Sequence, residues 1–284
     1  MSSAFGQTAP LTTTLRNVLR DYSGAQVLNE QLQNADDAGA RTFKVLLDGR
    51  ARAHRGTATL VAPALAALSG PALYCYDDKA FAPEDFASIQ RVGDGLKRGD
   101  PTRTGQFGLG FNSVYVAAAA AAAVAVAAAP PLLLLLASTV RLVLIPGALR
   151  SRSPSSSTAP LRRYHLTDVP TFLTSKFAVV FDPHGTHLPN GSTGVHYDLT
   201  ASADGSSALL ADAFADQWAP FKGIFGCDGR GGWGDDGGEG TLFRLPLRTK
   251  AGAAKSAIRR GKGAAPVRRF RLPAAVAAAR PAPR

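Results

Sequence analysis

Glu30-Gln31-Leu32-Gln33-Asn34-Ala35-Asp36-Asp37-Ala38-Gly39 is the stretch on which the reading of this chain turns. The spacing predicts a helix over 25–38. At 100° per residue, Leu28, Leu32 and Ala35 share one side, and Gly39 follows in the position that stops helices. Glu30, Asn34 and Asp37 stand at i, i+4 and i+7, within about 60° of one another on the opposite side. The row presents a carboxylate, an amide oxygen and a second carboxylate. The amide oxygen can ligate a hard cation such as magnesium, and the glutamate can accept a proton from a water. Taken alone, the same row is also the solvated face of an ordinary amphipathic helix.

Outward from this helix the chain alternates. Residues 12–21 and 83–91 read as helices, and 42–48, 71–77 and 240–247 as strands. Gly105-Gln106-Phe107-Gly108-Leu109-Gly110 forms a GxxGxG loop that leads into a further helix. Glycines let the backbone approach a ligand, and amides opening a helix present an anion site. The spacing is neither the GxGxxG of dinucleotide folds nor followed by a Walker lysine, so alone it also fits a tight turn. Mixed helices and strands predict an α+β fold.

Charge is distributed unevenly. The formal net charge is +11, yet residues 1–115 hold 12 Lys/Arg against 11 Asp/Glu, and 164–249 hold 5 against 10. The excess sits in 116–163, with 5 basic residues and no acid, and in 250–284, with 10 basic residues and no acid. The basic total therefore does not point to a nucleic-acid-binding fold, and no specific nucleic acid is expected. Val116–Ala129 is nearly pure alanine and valine. Pro130-Pro131, five leucines and an Arg/Ser/Pro run follow. That stretch has the length of a membrane span, but alanine is weakly hydrophobic and the two prolines break it midway, so no membrane is expected. The expected organisation is a domain over 1–249, carrying a low-complexity insertion at 116–164, and a disordered basic tail over 250–284. The clustered Arg259, Arg260, Lys262, Arg268, Arg269 and Arg271 of the tail offer an alternative, electrostatic binding of RNA or anionic surfaces. Two cysteines, Cys75 and Cys227, without metal spacing, and no signal-like start predict a cytoplasmic protein. His184 and His187 read as loop residues, and Trp218 and Phe221 as core.

In combination these motifs resemble a known family. Glu30–Ala38 resembles the N box of the GHKL ATPases, the superfamily of the large heat-shock chaperone and gyrase B. Gly105–Phe111 resembles the glycine motif of its heat-shock branch. The flanks are closer to sacsin-type domains: Phe5-Gly6-Gln7, Gln33–Ala40, Gly70-Pro71-Ala72-Leu73, Gly110–Tyr115, Pro220–Gly226 and Gly240–Arg248. The resemblance covers about 5–115 and 164–249. Sacsin-like domains run from Asn-Ser-Val-Tyr directly into His-Leu-Thr-Asp-Val-Pro. Here Tyr115 and His165 are separated by the low-complexity segment, which reads as a retained intron or a lineage-specific insertion.

The resemblance implies a two-layer α/β sandwich of Bergerat type, with a mixed sheet and helices on one face. It implies an ATP site using Mg2+: Asn34 holds the metal and Glu30 activates the attacking water. Asp37 completes the N box. Gly105, Gln106, Phe107, Gly108 and Gly110 line the phosphates, and Thr241 touches the adenine side. Asp77 accepts the exocyclic amine, with Asp78 as the alternative. The family's DxGxG pattern is replaced here by Asp77-Asp78-Lys79-Ala80-Phe81. Binding is thus the expected activity and slow hydrolysis the secondary one, in a chaperone-type protein whose partners are clients or co-chaperones. A scaffold of the same fold that works without nucleotide is the alternative.

Overall fold

Two strands anticipated from the sequence pair with each other. β1 (Thr42–Asp48) and β2 (Ala72–Asp77) run antiparallel, with Phe43 opposite Asp77 and Asp48 opposite Ala72. They belong to the computed structural model of the protein, which describes residues 10–18, 26–49, 56–90, 139–145, 167–202, 209–233 and 238–258. Helix α1 (Leu11–Val18) and helix α2 (Gln26–Asp37) precede β1, and α3 (Pro83–Ile89) follows β2. The remaining strands are β3 (Thr139–Ile145), β4 (Thr171–Thr174), β5 (Phe177–Phe181), β6 (Gly194–Asp198) and β7 (Thr241–Pro246). The order across the sheet is β3-β1-β2-β7-β4-β5-β6. Only the β1–β3 pair is parallel; the others are antiparallel, so the sheet is mixed and the fold is α+β.

Period-two alternation splits the strands' apolar residues between two cores. Phe43, Val45, Leu73, Cys75, Phe172, Phe243 and Leu245 project to one face, where Leu15 of α1, Ala35 of α2 and Phe86 of α3 cover them. Leu46, Tyr74, Tyr76, Leu173 and Leu242 project to the other. The two-layer expectation is too simple here. The second face is also covered, by Leu65 of the 3-10 turn Pro63–Leu68 and by Trp218, Phe221, Ile224 and Trp233. These segments are too short and irregular to show a helical period, which is why the sequence did not display a second layer.

The β4–β5 hairpin turns through two residues, Ser175 and Lys176, with Ser175 at φ 47. Such a turn normally carries Asn or Gly, so the usual signal is missing. Gly231 explains the shape of the turn. Its backbone presses so closely that a Cβ there would lie 1.6 Å from the Ser175 carbonyl oxygen.

The ordered chain also continues past the expected boundary at 249. Thr249 caps helix α4 (Lys250–Lys255), its Oγ1 accepting the Gly252 amide at 3.0 Å. Beyond it Ile258, 2% exposed, enters the helix-side core. The tail expected from Lys250 is folded through Ile258, because one cap and one buried isoleucine outweigh its low-complexity composition. β3 in turn forms within the 116–164 segment, as the neighbour of β1.

Candidate functional site

The site begins at the ends of two adjacent strands. In the β2–β7 register Asp77 stands directly opposite Thr241. Leu73 and Cys75 of β2, with Phe243 and Leu245 of β7, face the helix-side core. Alternation therefore turns Asp77 and Thr241 toward that same side. Thr241 is fully buried. Its Oγ1 donates to the Lys79 carbonyl at 2.7 Å and lies 2.8 Å from Thr174 Oγ1, which also accepts the Phe81 amide at 2.8 Å. Since the Thr241 proton goes to Lys79, the Thr174 hydroxyl donates to Thr241.

Asp77 Oδ1 accepts the Lys79 amide at 3.0 Å. Burial pushes the carboxyl up to about 7, reinforced by neighbouring Asp78 and opposed by that amide bond. The two acids divide their work. Asp78 Oδ1 accepts the Arg41 and Thr42 amides at 2.8 and 3.0 Å and so fastens the start of β1. Asp77 instead bonds within its own turn, through Oδ1 to the Lys79 amide.

Helix α2 lies over the same core. Leu32 and Ala35 pack into it, while Asn34 and Asp37 remain half-buried. The helix ends as its sequence indicates: Gly39 takes φ 72, and the Ala40 amide reaches back to the Ala35 carbonyl at 2.9 Å. Between the apolar stripe and the polar row sits Gln31, 4% exposed, whose Nε2 is buried without a partner. Glu30 belongs to α2, but its side chain lies outside the described residues, as do Gly105, Gln106, Phe107, Gly108 and Gly110.

Among the described residues no group of three His, Cys, Asp or Glu side chains could hold a metal. A single amide donor such as Asn34 suits magnesium, which keeps several waters and takes its other ligands from phosphates. His184 and His187 do not form a metal pair. His184 Nε2 accepts the Ala257 amide at 2.9 Å, and His187 bonds to buried Asp182. Burial alone would raise Asp182, but bonds from His187 and Leu188 hold its carboxyl below the usual range. Neither cysteine is poised for chemistry, since burial pushes Cys75 up to about 12 and Cys227 to about 11.

Thr174, the hydroxyl behind Thr241, is the site residue that sequence reasoning missed. Its position becomes visible only once β4 is known to lie beside β7, with Thr174 opposite Thr241.

A sequence profile of the Sacsin domain matches residues 8–123 and 163–266. The chain belongs to the sacsin domain family. Human Sacsin is 33% identical over 246 residues, which is 86% of this chain and 4% of the human protein. This sacsin domain thus spans a small part of the length of that relative. The unmatched interval of the profile lies inside the 116–164 segment, and the second matched block runs past α4 and Ile258. No helix among the described residues is long and apolar enough to cross a membrane; Val116–Ala129 lies outside them.

Proposed function

We propose that this sacsin domain binds ATP together with magnesium on the helix-covered side of its sheet. The observation that supports this most is the register of Asp77 against Thr241 beneath the helix that carries Asn34. A carboxylate at a strand end, backed by buried hydroxyls and roofed by an amphipathic helix, offers an acceptor for an aromatic amine. The unpartnered Gln31 amide and the half-buried Asn34 and Asp37 are polar groups carried by that helix. In this reading Asp77 takes the exocyclic amine of adenine, and Asn34 holds the metal that neutralises the phosphates. Gly105–Gly110 wraps the phosphates with backbone amides, and Glu30 orients the attacking water in a slow hydrolysis that rests mostly on positioning. The wider role is that of a nucleotide-responsive module in a cytoplasmic chaperone-type protein with polypeptide clients.

One observation favours the alternative, a scaffold of the same fold that works without nucleotide. Thr241 already gives its proton to Lys79 and accepts from Thr174, so its hydroxyl has no proton left to donate to a ligand. Calorimetric titration of ATP and magnesium into the intact chain, and into a chain lacking 116–164, separates the two. Saturable heat that disappears in Asn34→Ala supports the nucleotide site. Absence of heat from both folded forms leaves the scaffold.

A further inference from the structure

On the opposite face of the same sheet, the β4–β7 register sets Thr171 directly against Arg244. Arg244 is 5% exposed and Thr171 4%. The guanidinium is held by neutral groups. Nε donates to the Tyr74 hydroxyl at 3.1 Å, and Nη2 donates to the Leu68 and Gly70 carbonyls at 2.8 and 3.2 Å. Among the described residues it forms no ion pair with a carboxylate, and its Cζ lies 5.9 Å from the centre of the Tyr74 ring. A buried charge of this kind is normally matched by an opposite one.

Arg244 and Thr171 line a cavity of about 20 Å3, together with Leu65, Phe221, Asp216 and Gln217. That is room for about one water-sized group. The Gln217 amide oxygen is buried with no partner. Amide oxygen and nitrogen exchange on a half-turn of the side chain, so the position can equally present an NH2 donor. Asp216 also lines the cavity, so a dianion is disfavoured there more than a monoanion. Its Oδ2 takes the Thr59 amide at 3.0 Å rather than the guanidinium, and a carboxylate on the wall repels a dianion.

We propose that Arg244, Thr171 and Gln217 form a binding site for one carboxylate oxygen of a singly charged acid, inserted from the solvent side of this face. Guanidinium and carboxylate match in geometry, and the remaining donors complete the oxygen's coordination. A small free acid and an aspartate or glutamate side chain of another polypeptide share this chemistry.

The test follows the side-chain Nε–H resonance of Arg244 in the 15N-labelled intact chain during titration with sodium acetate, against sodium chloride at matched ionic strength. A parallel titration uses N-acetyl-glutamate amide. A saturable shift with half-effect in the millimolar range, seen with acetate and absent with chloride, supports the site. If the blocked glutamate acts at tenfold lower concentration than acetate, the occupant is a polypeptide side chain; the reverse order indicates a free acid. Gln217→Glu supplies the carboxylate internally. It should melt higher than the parent and lose the acetate response, while Thr171→Val should weaken that response severalfold and keep the fold. Equal behaviour of acetate and chloride, or an undiminished acetate shift in Gln217→Glu, overturns the proposal.

Discussion

Asp77 ends β2 with its carboxyl shielded from water, and burial moves its pKa from the ordinary 3.8 to about 7. The folded state therefore holds a proton that the unfolded chain releases near pH 4. Stability contributed by this group falls as pH rises through that window, and the deficit is complete above about pH 7. Asp77→Asn removes the deficit. Urea melts should show the variant stabilised by up to about 4 kcal/mol at pH 8, with little difference at pH 4. If Asp77 is the nucleotide acceptor, the same variant loses the calorimetric signal for ATP, and wild-type affinity strengthens as pH rises past 7. A variant that gains stability and keeps ATP binding would separate burial of this acid from function. Gly240 is the other constrained position nearby. A Cβ there would meet a Tyr76 ring carbon at 2.6 Å and the Asp77 carbonyl oxygen at 2.8 Å. Gly240→Ala should destabilise by about 2 kcal/mol, and denaturant melts would read this directly.

Elements with a strong period or a clean terminus are legible in the sequence. β1 spans the expected residues, and α2 ends at its glycine as the stop signal requires. β4 and β5 were not legible. Their turn uses Ser175-Lys176, and the reason it holds lies 55 positions later, in the contact from Gly231. α4 was hidden by composition, and its anchoring is equally non-local. Arg248, which follows β7, clasps Asp168, with Nε at 2.7 Å from Oδ2, and donates to the Thr167 carbonyl at 2.8 Å. Ser256 beyond α4 donates to the same carboxylate at 2.8 Å. Arg248 is 7% exposed, so removing it strands a shielded carboxylate. Arg248→Ala should cost about 3 kcal/mol by thermal or chemical melting, whereas Ser256→Ala should cost about 1 kcal/mol.

At the scale of the molecule, the candidate site was legible as a set of residue types but not as an arrangement. Asp77 and Thr241 could be named from their motifs, yet their pairing depends on β7 entering the sheet beside β2, which no local pattern encodes. Thr174 needed the further knowledge that β4 flanks β7. The C-terminal limit is testable at this scale. A chain ending at 249 loses Ser256 and Ile258, and should melt well below one ending at 266; equal melting would mean that α4 adds nothing to the core. The central place of β7 reaches further still. It alone joins the β3-β1-β2 half of the sheet to the β4-β5-β6 half, and its first residue bonds to a carbonyl 162 positions earlier. On a ribosome β2 therefore emerges long before its second partner, β7, exists, and at 5–20 residues per second the nascent chain waits on the order of ten seconds with both inner edges unpaired. The domain closes only when its last strand arrives, so a chain of this family is itself, during synthesis, the sort of open-edged polypeptide that needs protection from its neighbours.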